Sequence, residues 1–346
     1  MRPLCNRLYN GLYSGIRSVL FQMDPEKAHD FTLKWLQKSR SLVGLLSPPL
    51  LKQPKTIMGL TFPNAVGLAA GFDKNGDCIE GMGALGFGFI EVGTITPKPQ
   101  LGNPKPRLFR LKSDSAIINR MGFNNKGIDY LCARLKKSRP YYQGIIGVNI
   151  GKNADTPLEN AVDDYKICFE KVYELADYIT LNISSPNTAQ LRELQSGLLL
   201  EQLLSEMKEL QLKLAQSSQR YVPLLVKIAP DLDEIALVAL AEKLLAYKID
   251  GVIATNTTVE RIALHDTAST QMGGLSGAPL MSLSTQKLAR LRQLLGKHMP
   301  IIGVGGIMSG ADAAMKFQAG ADLVQVYTGL IYKGPALLHA IMTAER

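Results

Sequence analysis

The chain is 346 residues long, with 46% hydrophobic residues and a formal net charge of +9 at pH 7. This length and hydrophobic content suit one large core with a small appendage, and no run reaches the roughly 18 apolar residues of a membrane-spanning helix. The four cysteines form no C-x-x-C pair, which excludes a disulfide framework and suits a reducing compartment.

The first 55 residues carry most of the positive charge. They hold nine Lys or Arg against three acidic residues, so +6 of the net +9 lies here. A basic amphipathic helix is typical of a membrane-surface element; the alternative is a helix that packs on the rest of the protein. The apolar residues at helical spacing are Leu4, Leu8 and Leu12, then Tyr9, Tyr13, Ile16 and Leu20, then Phe31, Trp35 and Leu36.

This charge and spacing predict two domains. Residues 1–50 form a helical extension for membrane association, residues 51–346 form a second, larger domain, and Ser47-Pro48-Pro49 is the best linker candidate. Arg17 interrupts what would otherwise resemble a signal-peptide core. Met1–Met23 has three Arg and no acid, so mitochondrial targeting stays open. We favour peripheral attachment at the cytoplasmic face of a bacterial inner membrane.

Eight short apolar runs follow the extension, and stretches with helical periodicity lie between most of them. Uninterrupted apolar runs indicate strands buried on both faces, and strand–helix alternation favours parallel pairing. The sequence thus predicts an α/β fold, a TIM (β/α)8 barrel, with a doubly wound open sheet as the alternative. The predicted strands are Asn64–Ala70, Phe89–Thr94, Ile145–Ile150, Tyr178–Asn182, Leu224–Ala229, Val252–Thr257, Ile301–Gly306 and Leu323–Thr328. The predicted helices include Asp163–Leu175, Leu198–Leu214, Asp233–Tyr247, Ser284–Leu295 and Ala311–Ala319.

Polar side chains collect at the ends of these strands, where TIM barrels place their active sites. The richest segment is Asn182-Ile183-Ser184-Ser185-Pro186-Asn187, with two amides and two hydroxyls after an apolar run. Ser, Pro and Asn are also ordinary turn residues, but the repetition at other strands favours a ligand site. The polar residues at the ends of strands one to six are Asp73, Lys74, Thr94, Asn149, Asn182, Ser185, Lys227, Thr255, Asn256 and Thr257.

Strands seven and eight end in glycine instead, as Gly303-Val304-Gly305-Gly306-Ile307 and Tyr327-Thr328-Gly329. Bare backbone N–H groups at these two positions of a barrel can approach a phosphate. Flavin mononucleotide (FMN) fits best, with Lys227 as the charge near the N1 edge of its ring. The alternative for Lys227 is a rim lysine without that role.

Two other kinds of cofactor are disfavoured. A G-x-G-x-x-G fingerprint is missing after the first strand, which speaks against a dinucleotide. No His/Asp/Glu cluster has metal-ligand spacing, so no metal site is predicted. The histidines are scattered, as His29, His265, His298 and His339.

Six segments together resemble the signature segments of the dihydroorotate dehydrogenase family. The N-terminal extension, and Ser185 where another branch carries Cys, resemble the quinone-dependent class 2 enzymes of bacterial type. The segments are Ala69-Ala70-Gly71-Phe72-Asp73-Lys74-Asn75, Val92-Gly93-Thr94-Ile95-Thr96-Pro97, Asn119-Arg120-Met121-Gly122-Phe123-Asn124, Asn182–Thr188, Gly273-Gly274-Leu275-Ser276-Gly277 and Val304-Gly305-Gly306-Ile307.

The resemblance implies oxidation of dihydroorotate to orotate in pyrimidine biosynthesis, with FMN as hydride acceptor, a membrane quinone as final acceptor, and Ser185 as general base. It implies that FMN is bound by Ala69, Ala70, Gly71, Phe72, Asp73, Thr94, Asn149, Asn182, Lys227, Thr255, Gly277, Gly306, Tyr327 and Thr328. The implied substrate residues are Lys74, Asn119, Arg120, Met121, Gly122, Phe123, Asn182, Asn187, Asn256 and Thr257.

The same resemblance places His29 and Arg110 along a quinone passage; for His29 the alternative is a capping or surface histidine. Four asparagines suit the amide edges of a dihydropyrimidine, and Lys74 suits its carboxylate. The segment Thr94–Phe123 is too long for an ordinary βα loop, so we expect it to cover the site, stiffened by four prolines. Ser184–Ser196 is a candidate mobile flap.

Two other functions stay open as alternatives. A tRNA dihydrouridine synthase would explain the basic charge through phosphate contacts. Against it, the charge is concentrated near the N-terminus, and only 18 residues follow Thr328. A phosphate-binding barrel that serves as a membrane-bound interaction module is the non-enzyme alternative. We expect no nucleic-acid partner.

Overall fold

The computed structural model describes residues 11, 13–38 and 53–344. Within this part of the chain, eight parallel strands close into a barrel in the spatial order β10-β12-β13-β3-β4-β7-β8-β9. The strands are β1 (Lys55–Ile57), β2 (Leu60–Phe62), β3 (Val66–Leu68), β4 (Phe89–Ile95), β5 (Leu108–Leu111), β6 (Ala116–Asn119), β7 (Ile145–Ile150), β8 (Tyr178–Asn182), β9 (Leu224–Ile228), β10 (Gly251–Ala254), β11 (Gly274–Gly277), β12 (Ile301–Val304) and β13 (Leu323–Val326). All eight predicted barrel strands are confirmed, and the open-sheet alternative is wrong.

Helices surround the barrel, and the five predicted from periodicity are confirmed. The described helices are α1 (Pro25–Lys38), α2 (Ile79–Leu85), α3 (Ile128–Ser138), α4 (Ala161–Val172), α5 (Gly197–Ser218), α6 (Glu234–Ala246), α7 (Met281–Leu295), α8 (Gly310–Gln318), α9 (Thr328–Lys333) and α10 (Ala336–Ala344). Their apolar faces bury against the outer surface of the barrel and form the larger hydrophobic core. Burial on both faces explains why the strands read as uninterrupted apolar runs.

A smaller apolar core fills the lumen of the barrel at its amino-terminal end. Phe89, Tyr178, Leu225 and Leu323 meet there, and Phe62 of the β1–β2 hairpin closes the end by packing edge-on against Phe89, with ring centroids 5.2 Å apart. Alternate residues of a strand point to the same side. On each of these strands, the residue two positions after the apolar one also points into the lumen and lies closer to the carboxyl end of the barrel.

The long segment after β4 forms part of a second sheet above the barrel. β5 and β6 pair as an antiparallel hairpin, and β11 adds to β6, so that Gly274 lies opposite Asn119. We call these three strands the lid sheet. The regular pairing of this segment with β11 was not foreseen, because a pattern of four residues per strand carries little periodicity.

The described part of the N-terminal extension packs on the barrel through one face. Residues 13–20 are helical, and α1 follows them. A Cβ at Gly81 would lie 2.4 Å from the Leu36 carbonyl oxygen, so glycine permits the close approach of α1 to α2. The guanidinium of Arg107, on the lid segment, pairs with the buried Glu26 of α1 at 2.7 Å.

The extension also exposes apolar side chains. In the part of the chain described, no helix is both long and apolar enough to span a membrane. The exposed residues are Ile16, Val19, Met23, Phe31 and Trp35. Leu4, Leu8, Tyr9, Leu12 and the Ser47-Pro48-Pro49 linker, like the domain boundary near residue 50, lie outside the described residues.

Candidate active site

A cavity of about 140 Å³ opens at the carboxyl rim of the barrel, beneath the lid sheet. We call it the rim cavity, and most of the residues proposed from the sequence line it. From the predicted cofactor set these are Ala69, Ala70, Gly71, Thr94, Asn182, Lys227, Thr255, Gly277, Gly306, Tyr327 and Thr328. From the predicted substrate set they are Lys74, Asn119, Met121, Gly122, Phe123, Asn187, Asn256 and Thr257, together with Ser185.

Two predicted cofactor residues, Phe72 and Asp73, do not reach the rim cavity. The Asp73 carboxylate accepts hydrogen bonds from the backbone N–H groups of Asp77 and Cys78, both at 2.8 Å, and so closes the turn that precedes α2. The Phe72 ring points the other way and packs edge-on against Tyr327, with centroids 5.4 Å apart. Both residues therefore shape the wall of the site from behind.

Arg120, a predicted substrate residue, also points away from the rim cavity. Its guanidinium donates to the carbonyl oxygens of Pro106 at 2.8 Å and Met272 at 3.3 Å. It lies 4.7 Å above the Phe109 ring. Arg120 thus ties the lid hairpin to the segment before β11, while its neighbours in the chain face the cavity.

Asn149 lies just behind the cavity surface and orients the side chains in front of it. Its Oδ1 accepts from the Thr94 hydroxyl at 2.5 Å and from Asn182 Nδ2 at 3.1 Å. The Oδ1 of Asn182 in turn accepts from Asn256 Nδ2 and from the Ser184 hydroxyl, each at 3.3 Å. Strands β4, β7, β8 and β10 are thereby joined at their ends by one amide network.

A layer of buried polar groups lies below this network in the lumen. Glu91, fully buried on β4, accepts from Asn149 Nδ2 and Gln325 Nε2 at 2.7 Å and from the Tyr178 hydroxyl at 2.9 Å. Lys227 is buried nearby and faces the rim cavity. Burial lowers the pKa of Lys227, and the charge of Glu91 acts in the opposite direction.

Ser185 is buried at the edge of the rim cavity. Its Oγ accepts from the backbone N–H of Asn187 at 3.2 Å, so the hydroxyl proton remains free to point elsewhere. None of the described histidines lines this cavity. The buried Thr188 hydroxyl, three residues along the same segment, has no hydrogen-bond partner in the described part of the chain.

A separate pair of amides, Asn119 and Asn187, lies where the lid sheet meets the segment after β8. Asn187 Nδ2 donates to Asn119 Oδ1 at 3.1 Å, and the Asn103 amide donates to the carbonyl oxygen of Asn187 at 3.3 Å. Asn103 also donates to the Arg120 carbonyl oxygen at 3.0 Å. The predicted flap is therefore hydrogen-bonded to the lid in this closed arrangement.

Phe123 takes a left-handed backbone conformation, with φ of +52°, which is unusual for a bulky residue. Two amides hold it there. Its carbonyl oxygen accepts from Asn125 Nδ2 at 2.7 Å and from Gln100 Nε2 at 3.2 Å. This conformation presents the Phe123 ring to the rim cavity beside Lys74.

Lys74 brings a positive charge to the rim cavity. Burial lowers its pKa to about 8, and the neighbouring Arg107 charge acts in the same direction, while Glu26 raises it. Within the described residues, no side chain accepts a hydrogen bond from Lys74 or Lys227. The cavity thus holds two cations whose donors face open space, as expected of a site for anionic or electron-rich ligands.

The glycine turn after β12 forms the opposite wall. Gly306 has φ of +82°, and a Cβ there would lie 2.4 Å from the backbone N of Met281. The turn consequently packs directly against the start of α7. Thr328 begins α9 beside it, and its hydroxyl is 2.8 Å from that of Ser276 on the lid sheet.

A larger cavity of about 420 Å³ lies between the N-terminal helices and the barrel mouth. We call it the helix-side cavity. Its walls are mainly apolar, and both predicted passage residues, His29 and Arg110, line it. Three residues, Leu108, Ile117 and Tyr327, border both this cavity and the rim cavity. The two chambers therefore share a wall.

His29 does not cap the helix: the Asp24 carboxylate accepts from the N–H groups of Glu26 and Lys27 at 3.1 and 3.0 Å. Its ring packs edge-on against Phe72, with centroids 5.2 Å apart. Burial, with the charge of Lys74, lowers the pKa of His29 to about 3. The imidazole is neutral at physiological pH, and the capping alternative is wrong.

Sequence reasoning missed several residues of this region, above all Glu91 and Gln325. A signal was present. Each is a polar residue in the middle of an otherwise apolar barrel strand, Phe89-Ile90-Glu91-Val92 and Leu323-Val324-Gln325-Val326. A buried polar side chain requires partners, so such positions point to a network inside the barrel.

The chain was compared with protein-family models and with known proteins. The model for "Dihydroorotate dehydrogenase" matches residues 53–344. A dihydroorotate dehydrogenase (quinone) from Cellvibrio japonicus is 56% identical over 333 residues, which cover 95% of this chain and 96% of that protein. One of the same description from Acinetobacter baylyi is 53% identical, with 96% of this chain and 99% of that protein covered. The similarity thus extends well into the N-terminal extension.

Solved structures are also similar. The crystal structure of a dihydroorotate dehydrogenase from Eimeria tenella in complex with ferulenol superposes with a TM-score of 0.86 at 41% identity, over 93% of this chain and 90% of the other. The ligand-free form of the Eimeria tenella protein gives a TM-score of 0.85 at 41% identity, over 93% and 94%.

Proposed function

The chain belongs to the dihydroorotate dehydrogenase family, and we propose that it oxidises (S)-dihydroorotate to orotate with FMN as first and a membrane quinone as final electron acceptor. The observation that carries this proposal is the shared wall between a polar cavity at the barrel rim and an apolar cavity beneath the N-terminal helices. A two-substrate redox enzyme requires such an arrangement, because its substrates differ in polarity.

The residues of the rim cavity fit FMN. The glycine turn after β12 and the start of α9 after β13 stand at the two positions where TIM barrels bind phosphate. Lys227 offers a buried ammonium without a hydrogen-bond partner among the described residues, suited to an electron-rich ring edge. Thr94, Asn182 and Thr255 supply hydroxyl and amide groups along the same surface.

The substrate would occupy the space between these groups and the lid. Lys74 is suited to the carboxylate of dihydroorotate, since a charge-assisted hydrogen bond in a desolvated site is strong. Asn119, Asn182, Asn187 and Asn256 surround the position with amide donors and acceptors, which match the edges of a dihydropyrimidine. The pairing of Asn119 with Asn187 would hold the lid and the flap on either side.

When bound, FMN would supply the acceptor for the hydride that leaves C6 of the substrate. Ser185 removes the C5 proton. No histidine activates it, so its basicity must come from the buried, preorganised surroundings. The unpartnered hydroxyl of Thr188 offers an onward position for the proton. Exclusion of water by the lid sheet strengthens these interactions.

The helix-side cavity would admit the quinone. Apolar walls suit an isoprenoid quinone, and Arg110 and the neutral His29 offer donors at its inner end. The exposed apolar face of the N-terminal helices, from Val19 to Trp35, would dip into the lipid surface while basic residues of the extension meet anionic headgroups. This corresponds to peripheral attachment at the cytoplasmic face of the inner membrane.

One absorbance experiment tests the proposal. Anaerobic addition of dihydroorotate to the purified yellow protein should bleach the flavin band, and a soluble quinone should restore it, whereas NAD should not. Recovery by NAD would assign a different final acceptor. A colourless protein without dihydroorotate-dependent dye reduction would favour the non-enzyme barrel, and salt-sensitive tRNA binding would favour the dihydrouridine synthase.

A further inference from the structure

We infer that Glu91 is a positioning residue: its buried carboxylate fixes the orientation of the Asn149 amide, and through it the donors and acceptors that Thr94 and Asn182 present to the rim cavity. The inference rests on the proposed function, because it assigns these groups to ligand binding. Glu91 itself does not line the cavity. Its effect is transmitted by hydrogen bonds and by charge.

Glu91 acts through the hydrogen bonds that its carboxylate accepts. An ionised carboxylate only accepts hydrogen bonds, and Glu91 accepts three, from Asn149, Gln325 and Tyr178. It is fully buried on β4, so these bonds replace its hydration. The side chain is thereby locked in the lumen, directly below the ends of β4, β7 and β8.

That fixed acceptor determines which way the Asn149 amide faces. Asn149 must direct Nδ2 towards Glu91, at 2.7 Å, so its Oδ1 faces upward and accepts from Thr94 and Asn182. If the amide were reversed, Nδ2 would meet the Asn182 amide nitrogen, donor against donor. One anion therefore decides the orientation of Asn149 and of the groups that hydrogen-bond to its Oδ1.

The chain of hydrogen bonds continues from Asn149 to Asn182. Asn182 directs Nδ2 towards Asn149, so its Oδ1 is turned to the other side and accepts from Asn256 Nδ2 and the Ser184 hydroxyl. Asn256 Nδ2 also donates to Ser184 Oγ at 3.0 Å. The Asn182 amide, a proposed substrate group, is thus set from below by Glu91, whereas the Oδ1 of Asn256 is held separately by the backbone N–H of Thr257 at 2.8 Å.

Glu91 also supplies the counter-charge for Lys227. The two residues lie in the same buried layer, and Glu91 is the anion whose charge acts on that lysine. Within the described residues Lys227 forms no hydrogen bond. A buried ammonium without an opposite charge tends to lose its proton, so Glu91 supports the cation that faces the proposed flavin ring.

The test measures flavin and orotate binding in the holoprotein, apart from turnover. In Glu91→Gln, an amide donor replaces one of the two acceptor oxygens and the negative charge is lost, so the side chain can no longer accept from Asn149, Gln325 and Tyr178 together. Loss of a hydrogen bond to a charged group corresponds to about 10- to 100-fold. We expect flavin release on dilution, monitored through the recovery of flavin fluorescence, to be faster by that factor. We also expect orotate to bind more weakly.

A second substitution should restore the pattern. In Glu91→Gln with Asn149→Asp, the new amide of residue 91 donates and the new carboxylate of residue 149 accepts, both from residue 91 and from Thr94 and Asn182. The double variant therefore keeps one carboxylate and the same number of acceptor oxygens, but the carboxylate is at position 149 and no longer at position 91. We expect the double variant to recover flavin release to within about threefold of the native rate, which a general loss of stability would not produce.

Two further variants complete the design. Asn149→Asp alone places two carboxylates together and should accelerate flavin release as Glu91→Gln does. Tyr178→Phe removes a donor to Glu91 but leaves Asn149 in place, and it should change release less than about threefold. Because Asn149 is itself an expected flavin residue, faster release in Asn149→Asp supports the role of Glu91 only together with recovery in the double variant.

The inference is overturned if Glu91→Gln, or Asn149→Asp alone, releases flavin within twofold of the native rate. It is also overturned if the double variant folds but releases flavin no more slowly than Glu91→Gln. The native protein separates this result from the proposed function. A native protein without bound flavin refutes the proposed function, whereas a flavin-bearing native protein with insensitive variants refutes only the role of Glu91.

Discussion

The rim cavity and the helix-side cavity are neighbours built on different principles. The first is made of strand ends, and its amides and hydroxyls are fixed by partners in the lumen and the lid. The second is made of helix faces, and its walls are apolar side chains with a few polar groups such as His29 and Arg110. Chemistry at a stereocentre requires directed hydrogen bonds, whereas passage of an apolar molecule requires mainly shape and the absence of polar barriers.

Ser185→Ala separates the two cavities most strongly. Loss of the general base should slow flavin reduction by dihydroorotate at least 10²-fold. Reoxidation of chemically reduced flavin by quinone should stay near native, since that step uses the other cavity. Stopped-flow absorbance follows both half-reactions in the same sample. Near-native reduction by dihydroorotate would remove Ser185 from the mechanism.

Glu26→Gln tests the tie between the two regions. Burial alone would raise the pKa of Glu26, but Arg107 and Lys105 outweigh it and hold the pKa below its usual value. This stabilisation is present above the unfolded-state pKa and is lost as pH falls through the folded-state value. Removal of one partner of a buried pair typically costs about 3 kcal/mol, and we expect that loss in urea unfolding near neutral pH.

An exposed ion pair of the same length provides the control. Lys243 and Glu201 are also 2.7 Å apart, but both side chains are more than one-third exposed. Glu201→Gln should change the free energy of unfolding by less than about 1 kcal/mol. Equal effects of the two substitutions would show that the Glu26 pair does not fasten the extension to the lid.

Lys74 gives the rim cavity a pH dependence that the helix-side cavity lacks. In the proposed function its ammonium binds the substrate carboxylate, and its pKa is about 8 in the free protein. We therefore expect kcat/KM for dihydroorotate to fall as pH rises through about 8. Lys74→Met should lower kcat/KM about 10- to 100-fold and abolish this limb of the profile. A pH profile of Lys74→Met that kept the native limb would assign the titration to another group.

Val19→Asp tests the outer face of the extension with the smallest expected effect. Val19 is 64% exposed and lies outside the wall of the helix-side cavity. In the proposed membrane-bound state the Val19 side chain is buried in lipid, and its loss should weaken binding to anionic phospholipid vesicles about tenfold. The oxidation of dihydroorotate with a soluble quinone should be unchanged. Ile235→Asp, at an 83% exposed position on α6, is the matched control and should bind vesicles like the native protein. Equal vesicle binding by both variants would place the membrane contact elsewhere.

The barrel could be predicted because its strands are buried on both faces and its helices are periodic. The ends of those strands predicted that Asn182, Lys227 and Ser185 lie together, and all three line the rim cavity. Residues that act from a distance could not be placed in the same way. Asp73 follows a strand and was assigned to the cofactor by the family resemblance, yet its carboxylate accepts hydrogen bonds from the backbone N–H groups of Asp77 and Cys78 and closes a local turn.

The lid sheet illustrates the other limit of the sequence. Its strands come from segments about 155 residues apart in the chain, as the bond between Asn119 and Gly274 shows. Pairing at that separation is set by tertiary packing, and a strand of four residues is too short for its sequence pattern to predict the pairing. The same is true of Leu108 and Ile117, whose place in the wall between the cavities follows from the lid and not from any motif.

That wall, formed by Leu108, Ile117 and Tyr327, has a kinetic consequence. If the reductant and the oxidant occupy chambers on opposite sides of it, neither must depart before the other arrives, and a ternary arrangement of both with the protein is sterically allowed. Orotate should then compete with dihydroorotate but leave room for a quinone analogue. An isotherm for the quinone analogue, recorded at saturating orotate, reports directly whether the partition keeps the two occupants independent.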